Sequence, residues 1–203
     1  MMGWLDRFYL ITGHVGRLEL LVPQGVRLVQ LRLKDLPEAE LRRQIARARD
    51  ICAVHGAQLV VNDHWRLALD LNCTFVHLGQ EDMDGADFDA LRRAGVRIGV
   101  STHDEAELDR ALACAPDYVA LGPVYPTRLK KMKWAPQGLE KVRRWKRLVG
   151  DKPLVGIGGL TPERLPGLFE AGADSAAVVT DIQQAASPEA RCREWIAATR
   201  VPA

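Results

Sequence analysis

The feature that most restricts the fold of this chain is a two-part unit repeated from end to end. A short run rich in Val, Ile and Leu is followed by a polar turn and then by a helical stretch. The runs are FYLIT (8–12), VRLVQLRL (26–33), QLVVN (58–62), TFVHL (74–78), VRIGV (96–100), DYVAL (117–121), PLVGI (153–157) and DSAAVV (174–179). Runs of this length suit strands buried on both faces, as in a parallel sheet. The stretches between them predict helices over 37–55, 64–71, 85–94, 104–114, 137–149, 161–171 and 187–199. Ile45, Ala48, Ile51 and Cys52 form the buried stripe expected of the first of these, and Pro37 suits its first turn. Thr161-Pro162-Glu163 reads as a capping residue followed by Pro at a helix start. Gly25, Gly56, Gly95 and Gly172 stand where a left-handed residue closes a helix before a strand. Segment 16–23 is short and ends in proline, so it is left unassigned.

About eight strand–helix units in 203 residues predict an α/β fold, a (β/α)8 TIM barrel in a single domain spanning 1–203. The rival is an open flavodoxin-like or Rossmann sheet. That sheet normally has fewer strands, and no GxGxxG opens the first helix here.

Charge narrows the partners. Lys and Arg number 28 against 26 Asp and Glu, a net of +2, so non-specific nucleic-acid binding is not expected and any anion site must come from local placement of charge. The four cysteines, Cys52, Cys73, Cys114 and Cys192, are scattered, with no zinc-site spacing, which fits free thiols in a reducing compartment. The first residues lack the basic-then-apolar pattern of a secretory signal, and no apolar run approaches the roughly 18 residues of a membrane span. A cytoplasmic protein with no membrane partner is expected. Strand two or the outer helices are candidate surfaces for a homodimer.

In a barrel of this kind functional groups gather at the C-terminal ends of the strands, and the polar residues of this sequence fall there. Gln30, Arg32 and Lys34 alternate along one face of the second run, pointing into the barrel mouth, while Leu31 and Leu33 face the helices. Two converging cations suggest an anionic ligand, with a structural ion pair to a neighbouring carboxylate as the alternative. Asp63 and Asp82 follow consecutive strands. Two carboxylates suit Mg²⁺, which takes few protein ligands and completes its shell with substrate phosphate; a turn aspartate and a helix cap are the plainer readings. GIGG (156–159) leaves the seventh strand, where many barrels bind phosphate through backbone N–H groups. The basic loop GPVYPTRLKKMKWAP (122–136) carries Lys130, a candidate for reaching a phosphate. His77 reads as a packed or hydrogen-bonded structural residue, and His103 as either a helix-start or a pocket residue. No Ser-His-Asp order or HExxH motif supports hydrolase chemistry.

Taken together, VQLRLKD (29–35), VNDHWRLAL (61–69), VHLGQED (76–82), GVSTHDEAEL (99–108), YVALGPVYPT (118–127), APQGL (135–139), VGIGGLTPE (155–163) and AGADSAAVV (171–179) resemble the thiamine phosphate synthase family from Tyr9 to about Ile182. That family joins a pyrimidine diphosphate to a thiazole phosphate and releases diphosphate. The resemblance implies that Gln30, Arg32, Lys34 and Asn62 contact the pyrimidine diphosphate, that Asp63 and Asp82 bind Mg²⁺, and that Ser101 and Lys130 hold the diphosphate. It further implies that Thr127, Gly159 and the backbone of Val179 and Thr180 hold the thiazole phosphate. Two positions depart from the family pattern. Leu129 stands where a second Thr is common, and Thr180-Asp181 where Ser-Ala is common; an inward Asp181 would weaken anion binding. The competing functions are a thiazole tautomerase-like isomerase, which needs no metal–diphosphate site, and a non-catalytic phosphate-binding relative.

Overall fold

The structure, a computed structural model, describes residues 4–127 and 134–200. Arg128, Leu129 and Lys130 therefore lie outside the described residues. Eight parallel strands close into a barrel in chain order: β1 (Phe8–Thr12), β2 (Leu28–Leu31), β3 (Gln58–Asn62), β4 (Phe75–Leu78), β5 (Arg97–Thr102), β6 (Tyr118–Leu121), β7 (Leu154–Ile157) and β8 (Ser175–Val178). The ring shuts where Tyr9 of β1 pairs with Ala177 of β8. Because β2 pairs with both β1 and β3, it has no free edge on which a second copy could add.

Helices cover the outside: α1 (Val15–Leu21), α2 (Glu38–Val54), α3 (Trp65–Asp70), α4 (Phe88–Arg93), α5 (Glu105–Ala113), α6 (Gly138–Val149), α7 (Leu165–Glu170), α8 (Thr180–Gln183) and α9 (Pro188–Arg200). Asp87 and Asp104 cap α4 and α5 by accepting from the N–H groups of Ala90 (2.8 Å) and Glu107 (2.9 Å). Gly25, Gly56, Gly95 and Gly172 all take positive φ, as expected of them.

Strand alternation sorts side chains into two cores. Outward residues such as Leu10, Val29, Val61, Val100, Val119 and Val178 pack under the helices, where Trp145 of α6 and Trp195 of α9 are fully buried. Each such side chain stabilises the fold by about 1.5–3 kcal/mol before entropy is counted. Inward residues Tyr9, Leu28, Val60, Phe75, Tyr118 and Val155 fill the barrel itself. At its C-terminal mouth the inward positions turn polar, with Gln30, Asn62 and His77 all buried.

Four local expectations change. Segment 16–23 does form a helix, α1, because Val15, Leu18 and Leu21 are buried by the barrel. The stripe of α2 is Leu41, Ile45, Ala48 and Cys52; Ile51 is only partly covered. Thr161 makes no side-chain cap to the backbone, its hydroxyl being bonded to Glu163 instead. The four-residue α8 was not foreseen from periodicity.

Candidate active site

A cavity of about 1180 Å³ opens at the C-terminal mouth of the barrel. Every site residue expected from sequence that falls in the described residues lines it. On one side stand Gln30, Arg32, Lys34, Asn62, Asp63 and Asp82; on the other, Thr127, Gly159, Val179 and Thr180, with Ser101 also on the wall. The strand β2 stops at Leu31, so Arg32 and Lys34 reach the pocket from just beyond its end. Arg32 is held there by its N–H, which donates to Thr12 O at 2.8 Å.

Cation and carboxylate meet at the β2–β3 corner. Lys34 Nζ donates to Asp63 Oδ2 at 2.8 Å, so the ion pair weighed as an alternative to an anion site is present inside the pocket. With the Lys34 side chain half exposed, this pair adds at most about 1 kcal/mol of stability. Asp63 sits in left-handed backbone, φ +63°, a conformation that Asp tolerates better than most residues. Its N–H donates to His77 O at 2.9 Å, which fixes it against β4. The Asp63 and Asp82 side chains share a hydrogen bond. Burial and the neighbouring Asp63 raise the Asp82 carboxyl above its usual range. Burial pushes Asp63 the same way, but the hydrogen bonds from Lys34 and Asp82 outweigh it and leave Asp63 below its usual range.

Two neighbouring carboxylates that repel one another when both are ionised are a fitting donor set for a hard dication, whose charge would offset that repulsion. Among the described residues, no cluster of three or more His, Cys, Asp or Glu side chains is placed to hold a metal. A metal here would thus rest on two protein carboxylates and its ligands from solvent or substrate. Beside this pair, Asn62 Nδ2 is buried with no hydrogen-bond partner among the described residues, a cost of about 1–3 kcal/mol unless a ligand accepts from it.

Beneath the pocket a chain of hydrogen bonds crosses the barrel. Gln30 Nε2 donates to Tyr9 Oη (2.9 Å), the Tyr9 and Tyr118 hydroxyls are 3.0 Å apart, Tyr118 Oη lies 2.6 Å from His77 Nδ1, and His77 Nε2 lies 2.8 Å from Ser101 Oγ. Burial holds both phenols protonated by raising their pKa values. Burial also pushes the His77 imidazole down to about 4, so the ring is neutral at pH 7. With Gln30 as donor at one end, the protons line up in one sense: Tyr9 donates to Tyr118, Tyr118 to His77 Nδ1, and His77 Nε2–H to Ser101. Ser101 keeps its own proton for the pocket. We expect ¹⁵N NMR of His77 at pH 7 to show a neutral ring protonated at Nε2; an Nδ1–H ring would reverse the chain and refute this ordering.

His77, expected to be a packed or hydrogen-bonded structural residue, is both, and through Nε2 it also positions a pocket hydroxyl. Tyr9 and Tyr118 were read only as parts of apolar runs. Their signal was parity: each stands two residues before an inward position, Ile11 and Ala120, so its hydroxyl had to find a partner inside the barrel. His103 stacks on Trp134 (5.3 Å, 6° between planes) and pairs with Glu107 at 2.7 Å. It thereby ties the return of the β6 loop to the β5 loop.

At the opposite side the β6 and β7 loops close on each other without spare room. Gly158 and Gly159 both take left-handed backbone, φ +99° and +63°. A Cβ on Gly158 would fall 2.6 Å from Pro123 Cα, and one on Gly159 2.5 Å from Pro126 O. Only glycine fits at both places. Tyr125 N–H donates to Gly158 O at 3.0 Å, which carries Thr127 to the glycine rim. Arg164, not foreseen from sequence, stacks over the Tyr125 ring (4.5 Å) and donates to Gly159 O.

Asp181 lines the cavity near this rim, but its carboxylate is not left free. Arg191 of α9 grips it through Nε (2.8 Å) and Nη2 (3.2 Å), and Trp195 Nε1 donates to it at 2.7 Å. The carboxylate that would weaken anion binding if it turned inward is thus tied to α9.

The chain matches the family model described as thiamine monophosphate synthase over residues 8–182. It is 61% identical over 195 residues to a thiamine-phosphate synthase from Rhizobium etli, covering 96% of each chain. A thiamine-phosphate synthase from Cronobacter sakazakii is 48% identical over 177 residues, covering 87% of this chain and 84% of that one. Among solved structures, the thiamine phosphate pyrophosphorylase of Pyrococcus furiosus superposes with a TM-score of 0.83 at 23% identity, covering 95% of each chain. A 3-hexulose-6-phosphate synthase shares the fold, with a TM-score of 0.70 at 17% identity and coverage of 95% of this chain and 99% of that one. With a family match over most of its length and a relative at this identity, the chain belongs to the thiamine monophosphate synthase family.

Proposed function

We propose that this chain is a transferase that condenses 4-amino-2-methyl-5-hydroxymethylpyrimidine diphosphate with 4-methyl-5-hydroxyethylthiazole phosphate, giving thiamine phosphate and diphosphate. One observation carries the reading: a single pocket is lined at one end by a cation–carboxylate corner of Arg32, Lys34, Asp63 and Asp82 and at the other by a glycine rim at Gly159. A substrate with a metal-bound diphosphate suits the first, and a phosphate monoester the second.

On this reading Asp63 and Asp82 would hold Mg²⁺, and Arg32 and Lys34 neutralise the diphosphate. When bound, Mg²⁺ would supply the positive charge that lets diphosphate leave at neutral pH. Ser101, with its oxygen occupied by His77 Nε2–H, donates its proton to the departing oxygens. Asn62 donates its buried N–H to the pyrimidine, which answers its lack of a partner among the described residues. Gln30 is fixed by Tyr9 alongside. Lys130 would add a further cation from the β6 loop, and its position lies outside the described residues. The bond from the pyrimidine methylene to diphosphate oxygen breaks, its electron pair leaving with diphosphate and the electron-rich ring bearing the resulting cation. Thr127, Gly159 and the Val179–Thr180 backbone hold the thiazole phosphate, so that the thiazole nitrogen lone pair meets that carbon and forms the new bond. No nucleophilic side chain is needed.

A cytoplasmic setting belongs to the proposal. The free thiols Cys52, Cys73 and Cys192 are buried, and no helix of the described residues is long and apolar enough to cross a membrane.

The test is to incubate purified protein with Mg²⁺ and both substrates and to look for thiamine phosphate by mass spectrometry. Product that depends on Mg²⁺ is expected. Folded protein that yields none would remove the transferase reading in favour of the isomerase or the ligand-binding relative.

A further inference from the structure

The Asp181 carboxylate sits beside the rim where the proposed function puts a phosphate, since Thr180, Asp181 and Arg191 all line the cavity. It is only 21% exposed, and a partly buried carboxylate close to a bound anion would repel it. Its lone pairs are instead consumed by α9. Arg191 Nε and Nη2 take one oxygen each, and Trp195 Nε1 adds a second bond to Oδ2. Neither partner is free to wander. Arg191 is itself held by Glu194 Oε2 at 2.5 Å and lies 3.6 Å from Glu163 Oε2. Trp195 is fully buried and stacks on Phe8 of β1, ring centroids 5.7 Å apart.

We infer that Arg191 and Trp195 are positioning residues that clamp Asp181 onto α9 and so keep its negative charge out of the thiazole-phosphate end of the pocket. Arg191 is ringed by Asp181, Glu194 and Glu163. Its charge is already more than balanced, so its part is to orient Asp181 and not to hold the ligand phosphate. This rests on the proposed assignment of the β7–β8 rim to a phosphate monoester.

The experiment measures binding of 4-methyl-5-hydroxyethylthiazole phosphate by calorimetry and, separately, steady-state kinetics, in Arg191→Met, Asp181→Asn and the double variant. Methionine keeps the apolar stem of Arg191 in place. Arg191→Met is expected to weaken thiazole-phosphate binding and raise its KM about tenfold, with kcat and the KM for the pyrimidine diphosphate unchanged, since one like charge at pocket range has roughly that effect. Asp181→Asn alone is expected to match the parent. The double variant is expected to return to within about twofold of it, because removing the carboxylate removes the need for a clamp. Arg191→Met with unaltered affinity, or a double variant as weak as Arg191→Met alone, would overturn the inference; the latter would make Arg191 a direct phosphate ligand. Should Arg191→Met fail to fold, Trp195→Phe removes one hydrogen bond but keeps the ring stack, and the same rescue by Asp181→Asn is required of it. Parent protein that binds the thiazole phosphate without turnover would sink the transferase reading and leave the clamp standing.

Discussion

Asp63→Asn is expected to lower turnover by roughly three orders of magnitude while leaving the folded state intact. Asparagine is the cleaner substitution than alanine, because residue 63 takes left-handed backbone that Asn accepts and Ala accepts less readily. The fold has little to lose. Lys34, the partner of Asp63, is half exposed and stays hydrated without it. Asp82, freed from a like-charged neighbour, becomes easier to ionise. The melting temperature should therefore stay within a few degrees of the parent's, and the loss should fall on turnover and on its response to Mg²⁺. Asp82→Asn is expected to act in the same way. Variants that keep the parental rate and Mg²⁺ response would show that these carboxylates hold no metal in the reaction.

The second large effect is on stability. Gly99 of β5 faces into the barrel, and a Cβ there would lie 2.1 Å from two carbons of the Tyr118 ring and 2.5 Å from its hydroxyl. That ring cannot retreat. It is fully buried, edge-on to Tyr9 and Phe75 and stacked on His77 at 5.5 Å. Gly99→Ala is expected to cost about 2–3 kcal/mol, the usual range for forcing a methyl group into a filled core, and to lower the melting temperature by about 5–10 °C. Urea unfolding gives the measurement. Because the displaced phenol also sets the proton order at His77 and Ser101, turnover should fall together with stability. An unchanged urea midpoint would mean that the barrel interior yields far more easily than its packing implies.

Much of the fold was legible because a strand buried on both faces can hardly be anything but an unbroken apolar run. The eight runs became the eight strands, trimmed by at most two residues at either end, with β5 extended by two. What stayed hidden was decided by distant contacts. α1 is too short to stand by propensity, and its burial against the barrel makes it a helix. α8 has only four residues, fewer than any periodicity can declare.

The candidate site was legible for a related reason. In a barrel, the strand ends share one mouth, so Gln30, Asn62 and Ser101 could be brought together on paper without knowing any angle. Direction was not legible. Nothing near Asp181 in sequence says that Arg191 and Trp195, on the next helix, hold its carboxylate. Nor does any local pattern say that Lys34 spends its charge on Asp63.

The closure of β1 against β8 ties the first strand of the barrel to the last. As the polypeptide is made, one hydrogen-bonding flank of Phe8, Tyr9 and Leu10 has no partner until Ala176 to Val178 emerge. Throughout that interval the nascent protein carries an apolar, half-satisfied edge of the kind that recruits other unfinished chains. Its yield in a cell should be governed by how quickly the stretch from β1 to β8 is translated and how well that edge is shielded in the meantime.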